Sequence, residues 1–156
     1  MWSQDFKEFV VLLNAHRVEY LVIGGYAVAV HGAPRYTGDL DVWVNPTPDN
    51  AARLLKALGD FGFASFNLTV KDFTESDEIF QMGSPPFRID VLTVIDGVRF
   101  ADCAPRKVTI EYDGVPTAFI GLADLQKNKQ ASGRPKDLLD LTALAEVNAS
   151  DTKPEA

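Results

Sequence analysis

The chain has 156 residues, 46% of them hydrophobic, which is enough for one globular domain with a sizeable core. A net charge of −7 argues against a generally basic, nucleic-acid-coating surface but leaves room for a local basic groove. The single cysteine, Cys103, excludes an intramolecular disulfide and a multi-cysteine zinc site, and reads as a buried, inert thiol.

The start, MWSQDFKEFVVLLN, carries Asp5 and Glu8 and has no positive segment ahead of an apolar run, so it does not read as a leader. No stretch approaches roughly 18 uninterrupted apolar residues, so no membrane span is expected and the default location is cytoplasmic. Residues 3 to 17 predict a helix. Ser3 suits its N-cap, and Phe6, Phe9, Val10 and Leu13 recur at helical spacing. Its role is to pack on a sheet, and His16 at its end reads as a surface residue.

Tyr20 to Ile23 predicts a short buried strand, followed by Gly24-Gly25 and a helix from Tyr26 to His31. Paired glycines at a strand-to-helix turn let a backbone approach a ligand closely. The helix start offers unpaired N–H groups that suit phosphate. A simple turn is the plainer reading of two glycines. Gly32 to Gly38 reads as a loop whose one charge, Arg35, suits either a surface ion pair or a phosphate.

The run DLDVWV, Asp39 to Val44, predicts a strand with Asp39, Asp41 and Trp43 on one face and Leu40, Val42 and Val44 on the other. The two carboxylates then stand about 6.6 Å apart at Cα. Aspartate is depleted in strands, and like charges on one face repel. A divalent cation between them resolves that cost, because hard cations take oxygen ligands. The alternative is a strand end open to solvent.

Thr47 and Pro48 suit the N-cap and first position of a scaffold helix with Ala51, Leu54, Leu55, Leu58 and Phe61 as its stripe, closed by Gly62. Residues 64 to 76 leave a strand open, since Phe66, Leu68 and Val70 alternate. Ile79 to Met82 and Phe87 to Val94 predict two strands around Gly83-Ser84-Pro85-Pro86. The second places Asp90 inside an apolar run. Buried acids are rare unless paired or bound to metal, so Asp90 reads either as an arginine's partner or as a third carboxylate beside Asp39 and Asp41.

Val108 to Tyr112, Asp113-Gly114 and Val115 to Ile120 predict a hairpin. Gly121 to Ser132 predicts a helix ended by Gly133, and Pro135 opens a last helix with Leu138, Leu141, Leu144 and Ala145 inward. Between Gln126 and Lys136 stand Lys127, Lys129, Arg134 and Lys136 with no acid among them. In an acidic chain that local reversal suits either an ordinary solvated surface or a wall that receives a triphosphate or a nucleic-acid backbone. Residues 1–147 are expected as one domain and 148–156 as a polar, disordered tail.

Gly24-Gly25, a short helix, Asp39-Leu40-Asp41 on one strand and Asp90 on a later one resemble the nucleotidyltransferases of the DNA polymerase beta superfamily. A closer likeness is to small bacterial proteins of the AbiEii/AbiGii toxin type. It is carried by Arg35, Thr37, Asp39 and Asp41 and by the late block Lys127, Arg134, Lys136, Asp137 and Asp140. The likeness spans residues 5 to 146. Where the superfamily often has a serine after the glycine pair, this chain has Tyr26-Ala27.

The resemblance implies an α+β nucleotidyltransferase fold: a mixed, twisted sheet with helices mainly on one face. It implies that Asp39, Asp41 and Asp90 are catalytic and bind two magnesium ions. Gly24, Gly25, Arg35, Thr37, Lys127 and Arg134 would bind nucleotide phosphate. A nucleoside monophosphate would pass from a nucleoside triphosphate to an acceptor hydroxyl on RNA (tRNA included), protein or a small molecule. The protein would then be an enzyme, and would serve as the toxin of a toxin–antitoxin pair with an antitoxin partner. Two other readings are a non-catalytic nucleotide- or partner-binding protein on the same fold and a metal-dependent hydrolase.

Overall fold

A computed structural model describes residues 2–151. Helix α1, Gln4–Ala15, is capped as its sequence predicts: the Ser3 hydroxyl accepts from the Phe6 N–H at 3.2 Å. Its stripe of Phe6, Phe9, Val10 and Leu13 is fully buried. Strand β1, Tyr20–Ile23, runs straight into α2, Gly24–Val30, so both glycines lie inside the first turn rather than ahead of it. Strand β2 is Leu40–Val44, one residue shorter than its alternation suggests, with Asp39 just outside it.

Helix α3, Pro48–Leu58, has Thr47 as its N-cap. Inside it, Asn50 is buried with its amide satisfied by the Glu19 and Asn45 carbonyls and its oxygen accepting from the Glu19 N–H. Residues 64 to 73 form short 3₁₀ turns rather than a strand. Asn67 is left-handed (φ 53°), which breaks extension, and Phe66 packs edge-on against Phe63 and Phe80.

Strands β3, Phe80–Met82, and β4, Ile89–Leu92, are the cores of the two predicted strands. A one-turn helix α4, Phe100–Cys103, covers Trp43, whose ring meets Phe100 edge-on at 5.1 Å. Cys103 is buried and free, and burial pushes its thiol up to about 11, away from reactivity. The hairpin β5, Val108–Tyr112, and β6, Val115–Phe119, turns at Asp113-Gly114 with both residues at positive φ. Helices α5, Leu122–Ser132, and α6, Pro135–Asp151, are separated by left-handed Gly133. Residues 148 to 151, expected in the tail, thus belong to α6; residues 152–156 lie outside the described part.

The six strands form one mixed sheet in the order β3-β4-β2-β1-β6-β5. β2/β4 and β1/β6 are parallel, and the remaining neighbours are antiparallel. The expected α+β class holds. No helix among the described residues is long and apolar enough to cross a membrane.

Candidate active site

The site is set by register. In the parallel β2/β4 pair, Asp41 lies opposite Asp90, so the two side chains share a face in neighbouring positions. In the antiparallel β1/β2 pair, Asp41 lies opposite Ile23, the residue before Gly24. A Cβ on Gly24 would collide with the Asp41 carboxylate, and Gly24 is left-handed (φ 69°). Only glycine meets both demands. A Cβ on Gly25 would fall 2.6 Å from the Thr37 hydroxyl and 3.3 Å from Arg35 Nη1. The glycine pair is therefore needed by the site's own side chains.

Burial pushes the Asp41 carboxyl up to about 7, helped by the nearby charges of Asp90 and Asp39 and a hydrogen bond with Asp90; Lys136 pulls the other way. Three carboxylates converge there, and burial beside two other acids disfavours the charged form of Asp41. Arg88 brings positive charge to two of them. Its Nε lies 2.9 Å from Asp90 Oδ1, and its Nη2 lies 3.1 Å from Asp90 Oδ2 and 3.0 Å from Asp39 Oδ2. Both readings of Asp90 meet here: it is an arginine's partner and it stands beside Asp41.

The donor set is all carboxylate oxygen, which suits a hard divalent cation. As the side chains stand, no three metal-ligating groups among the described residues enclose an ion, and Arg88 bridges Asp39 and Asp90. The residues fit a magnesium-type ion in chemistry, with Arg88 as the group that must give way.

A cavity of about 650 Å³ opens over these carboxylates, lined also by Gly24, Gly25, Thr37, Lys129, Arg134 and Lys136. That volume suits a small-molecule or nucleotide ligand. Of the residues expected to meet phosphate, Gly24, Gly25, Arg35, Thr37 and Arg134 line it. Lys127 is not among the lining residues; its neighbours Asn128 and Lys129 are.

The basic block divides into buried and open cations. Lys129 is buried, with Nζ 3.2 Å from Asp137 Oδ1 and 3.0 Å from Asp140 Oδ2. Asp140 also holds Arg35: Nε lies 2.9 Å from Oδ1, and Nη2 donates to Oδ2 at 3.2 Å. The Arg35 Nε–H is not directed along its contact, so charge and Nη2 hold the pair. Arg134, largely exposed, pairs with Asp137 at 2.8 Å. Burial pushes the Asp137 carboxyl up, but hydrogen bonds from Arg134, Ser132 and Lys129 outweigh it and bring it to about 2.

Lys136 differs. It lines the cavity, its charge reaches Asp41, and no carboxylate among the described residues lies within ion-pair distance of it. It stands in the first turn of α6, where a cation opposes the helix dipole. That misplacement is a sequence-level signal for Lys136. Arg88 had one too, two residues before Asp90 and on the same strand face.

The chain has the nucleotidyltransferase fold. A Thermotoga maritima protein provisionally designated a nucleotidyltransferase superposes with a TM-score of 0.56 at 15% identity, over 96% of each chain. The antibiotic-resistance factor ANT(2″)-Ia, solved with adenylyl-2″-tobramycin, gives 0.54 at 10% identity over 94% of this chain and 88% of its own. The lincosamide antibiotic adenylyltransferase LnuA, lincomycin-bound, gives 0.51 at 13% identity over 94% and 98%. No family profile matches the chain, and no curated protein does.

Proposed function

We propose that the protein is a metal-dependent nucleotidyltransferase that moves a nucleoside monophosphate from a nucleoside triphosphate to an acceptor hydroxyl. The observation that carries this reading is the convergence of Asp39, Asp41 and Asp90 beside the Gly24-Gly25 turn in one cavity. The fold neighbours that transfer adenylyl groups support it.

Asp39, Asp41 and Asp90 would hold magnesium, two ions by the resemblance, which neutralises developing phosphate charge and favours the acceptor alkoxide. Gly24 and Gly25 admit the triphosphate close to the backbone. Lys136 and Arg134, which line the same cavity, neutralise it, and Thr37 offers a hydroxyl where the superfamily's serine is replaced by Tyr26. Arg35 keeps its place through Asp140 and presents the rest of its guanidinium to the cavity. The acceptor oxygen bonds to the α-phosphorus as the bond to the leaving pyrophosphate breaks. The acceptor proton passes to a carboxylate oxygen, with Asp90 the base on the side away from the glycines.

The test is transfer of label from each α-labelled nucleoside triphosphate, with magnesium, into small-molecule, RNA and protein fractions of a cell extract. Asp41→Asn should lose at least about a hundredfold in rate. Label in no fraction together with absent nucleotide binding would end the reading. Binding without transfer would favour a nucleotide-binding protein on the same fold. Label in tRNA or protein, with growth arrest on expression that a neighbouring gene product relieves, would favour the AbiEii-type toxin role.

A further inference from the structure

Beyond Asp90, Leu92 ends β4 on the site face, Val94 and Ile95 follow it in the chain, and Ile79 precedes β3 beside it. Ile79, Leu92, Val94 and Ile95 line the same cavity as the three carboxylates. Ile79 is 49% exposed and Val94 is 55% exposed, so this end of the face is open. The four make an aliphatic part of the lining, called the shelf below. Asp96 stands at its margin, and its charge is felt by the Arg134 guanidinium.

The position of the shelf decides its occupant. Across the sheet the order is β1, β2, β4, β3, so Gly24, which follows β1, lies on the far side of Asp41 from β4, while Leu92 lies farther along β4 from Asp90 and Ile79 lies beside β3. Phosphoryl and nucleotidyl transfers place the attacking and leaving oxygens roughly in line through phosphorus. With the leaving pyrophosphate over Gly24-Gly25, the attacking hydroxyl comes from the β4/β3 side. An acceptor held there rests on aliphatic side chains, not on acids arranged for a polycation.

We infer that Ile79, Leu92, Val94 and Ile95 form the acceptor subsite, and that the acceptor is a small molecule with an apolar, ring-like or aliphatic face next to its reactive hydroxyl. The inference rests on the transfer reading above. Apolar burial supplies its affinity, and Asp90, adjoining the shelf, orients the hydroxyl. The cavity, about 650 Å³, leaves room for a small apolar group beside the carboxylates.

The test uses the full-length protein, labelled with ¹⁵N, and follows its backbone amide resonances. The probes are 4-methylcyclohexanol, glycerol, total RNA, and the α,β-methylene analogues of the four nucleoside triphosphates with magnesium, each analogue tried in turn. Methylcyclohexanol is expected to shift the amides of Ile79, Leu92, Val94 and Ile95 saturably, where glycerol does not. Val94→Asp, a change at an exposed position, should weaken that binding roughly tenfold, the loss of about one valine-sized apolar contact. The nucleotide analogues should shift Gly24 and Gly25 and leave the shelf still. Shelf shifts with nucleotide alone would give the shelf to the donor's base and overturn the inference. So would equal response to glycerol, indifference to Val94→Asp, no saturable shift, or capture of the shelf by RNA. Gly24 and Gly25 report the donor site separately, so absent shifts there would sink the transfer reading whatever the shelf does.

Discussion

Arg88 is the residue on which the state of the site turns. Its guanidinium spans Asp39 and Asp90 at 3.0 and 2.9 Å, a cation placed among the carboxylates expected to hold magnesium. Removing it takes away an internal competitor. Arg88→Ala should therefore bind Mn²⁺ more tightly than the parent, by roughly tenfold, as read by the loss of free-ion electron spin resonance. Equal or weaker binding would show that Arg88 organises the ligands instead of competing for them. Gly24 makes a second, steric prediction. An alanine there meets the Asp41 carboxylate and a φ of 69°. Gly24→Ala should cost about 1–3 kcal/mol in denaturant titration. It should also reduce nucleotide binding more than Gly114→Ala, whose added methyl meets open space at a similar φ of 79°. The glycine pair could be read in the sequence as a close approach to phosphate. That Gly24 makes room first for Asp41 depends on the β1/β2 register, which no local pattern carries.

At the scale of elements, α5 and α6 are joined by charge as well as by apolar packing. Lys129 on α5 meets Asp137 and Asp140 on α6, and Asp140 reaches the loop through Arg35. Breaking a buried pair leaves unpaired charge behind. Lys129→Met should thus destabilise the fold by about 3–5 kcal/mol. Lys127→Met, on the same helix but outside the cavity lining, should cost under about 1 kcal/mol. Asp137 sets a pH dependence. Its folded pKa is about 2, below its ordinary value of 3.8. The native state therefore binds fewer protons than the unfolded chain between those values. The stability Asp137 contributes is full above about 4 and is lost as pH falls toward 2. Asp137→Asn should be less stable at neutral pH and show a flatter decline over that window in chemical denaturation. The basic block was visible as a run of cations without acids between them. Its division into a buried strut, Lys129, and an open cation, Lys136, came from the packing of α6 on α5.

At the scale of the whole molecule, the chain order of the strands differs from their order in the sheet. β2 and β4 are neighbours although β3 and the 3₁₀ turns separate them in sequence. The site is thereby built across β1, β2 and β4, with α2, α5 and α6 closing the cavity. A ligand that joins these elements stabilises all of them at once. With a cation bound to the folded state alone, magnesium at 100 times its dissociation constant should add about 2.7 kcal/mol. It should raise the melting temperature of the parent, and of Arg88→Ala still more. Asp39→Asn and Asp41→Asn should lose most of that response. A melting temperature indifferent to magnesium in the parent would remove the metal from the proposal.

Strand alternation by itself determined that Asp41 and Trp43 share a face of β2, and the apolar run around Asp90 determined that it is enclosed. Capping and helical spacing likewise determined α1 and α3, because those signals lie within a few residues of one another. The sequence could not determine that Asp41 stands opposite Asp90, that Arg88 bridges Asp39 and Asp90, or that Asp140 restrains Arg35. Apart from the local Arg88–Asp90 pair, these contacts join residues 49 to 105 positions apart. Pairing across a sheet and helix packing set such distances, and both are properties of the whole fold. Local periodicity could place each carboxylate on a face; only the tertiary structure brought the faces together and buried Asp41 beside Asp90 and Asp39.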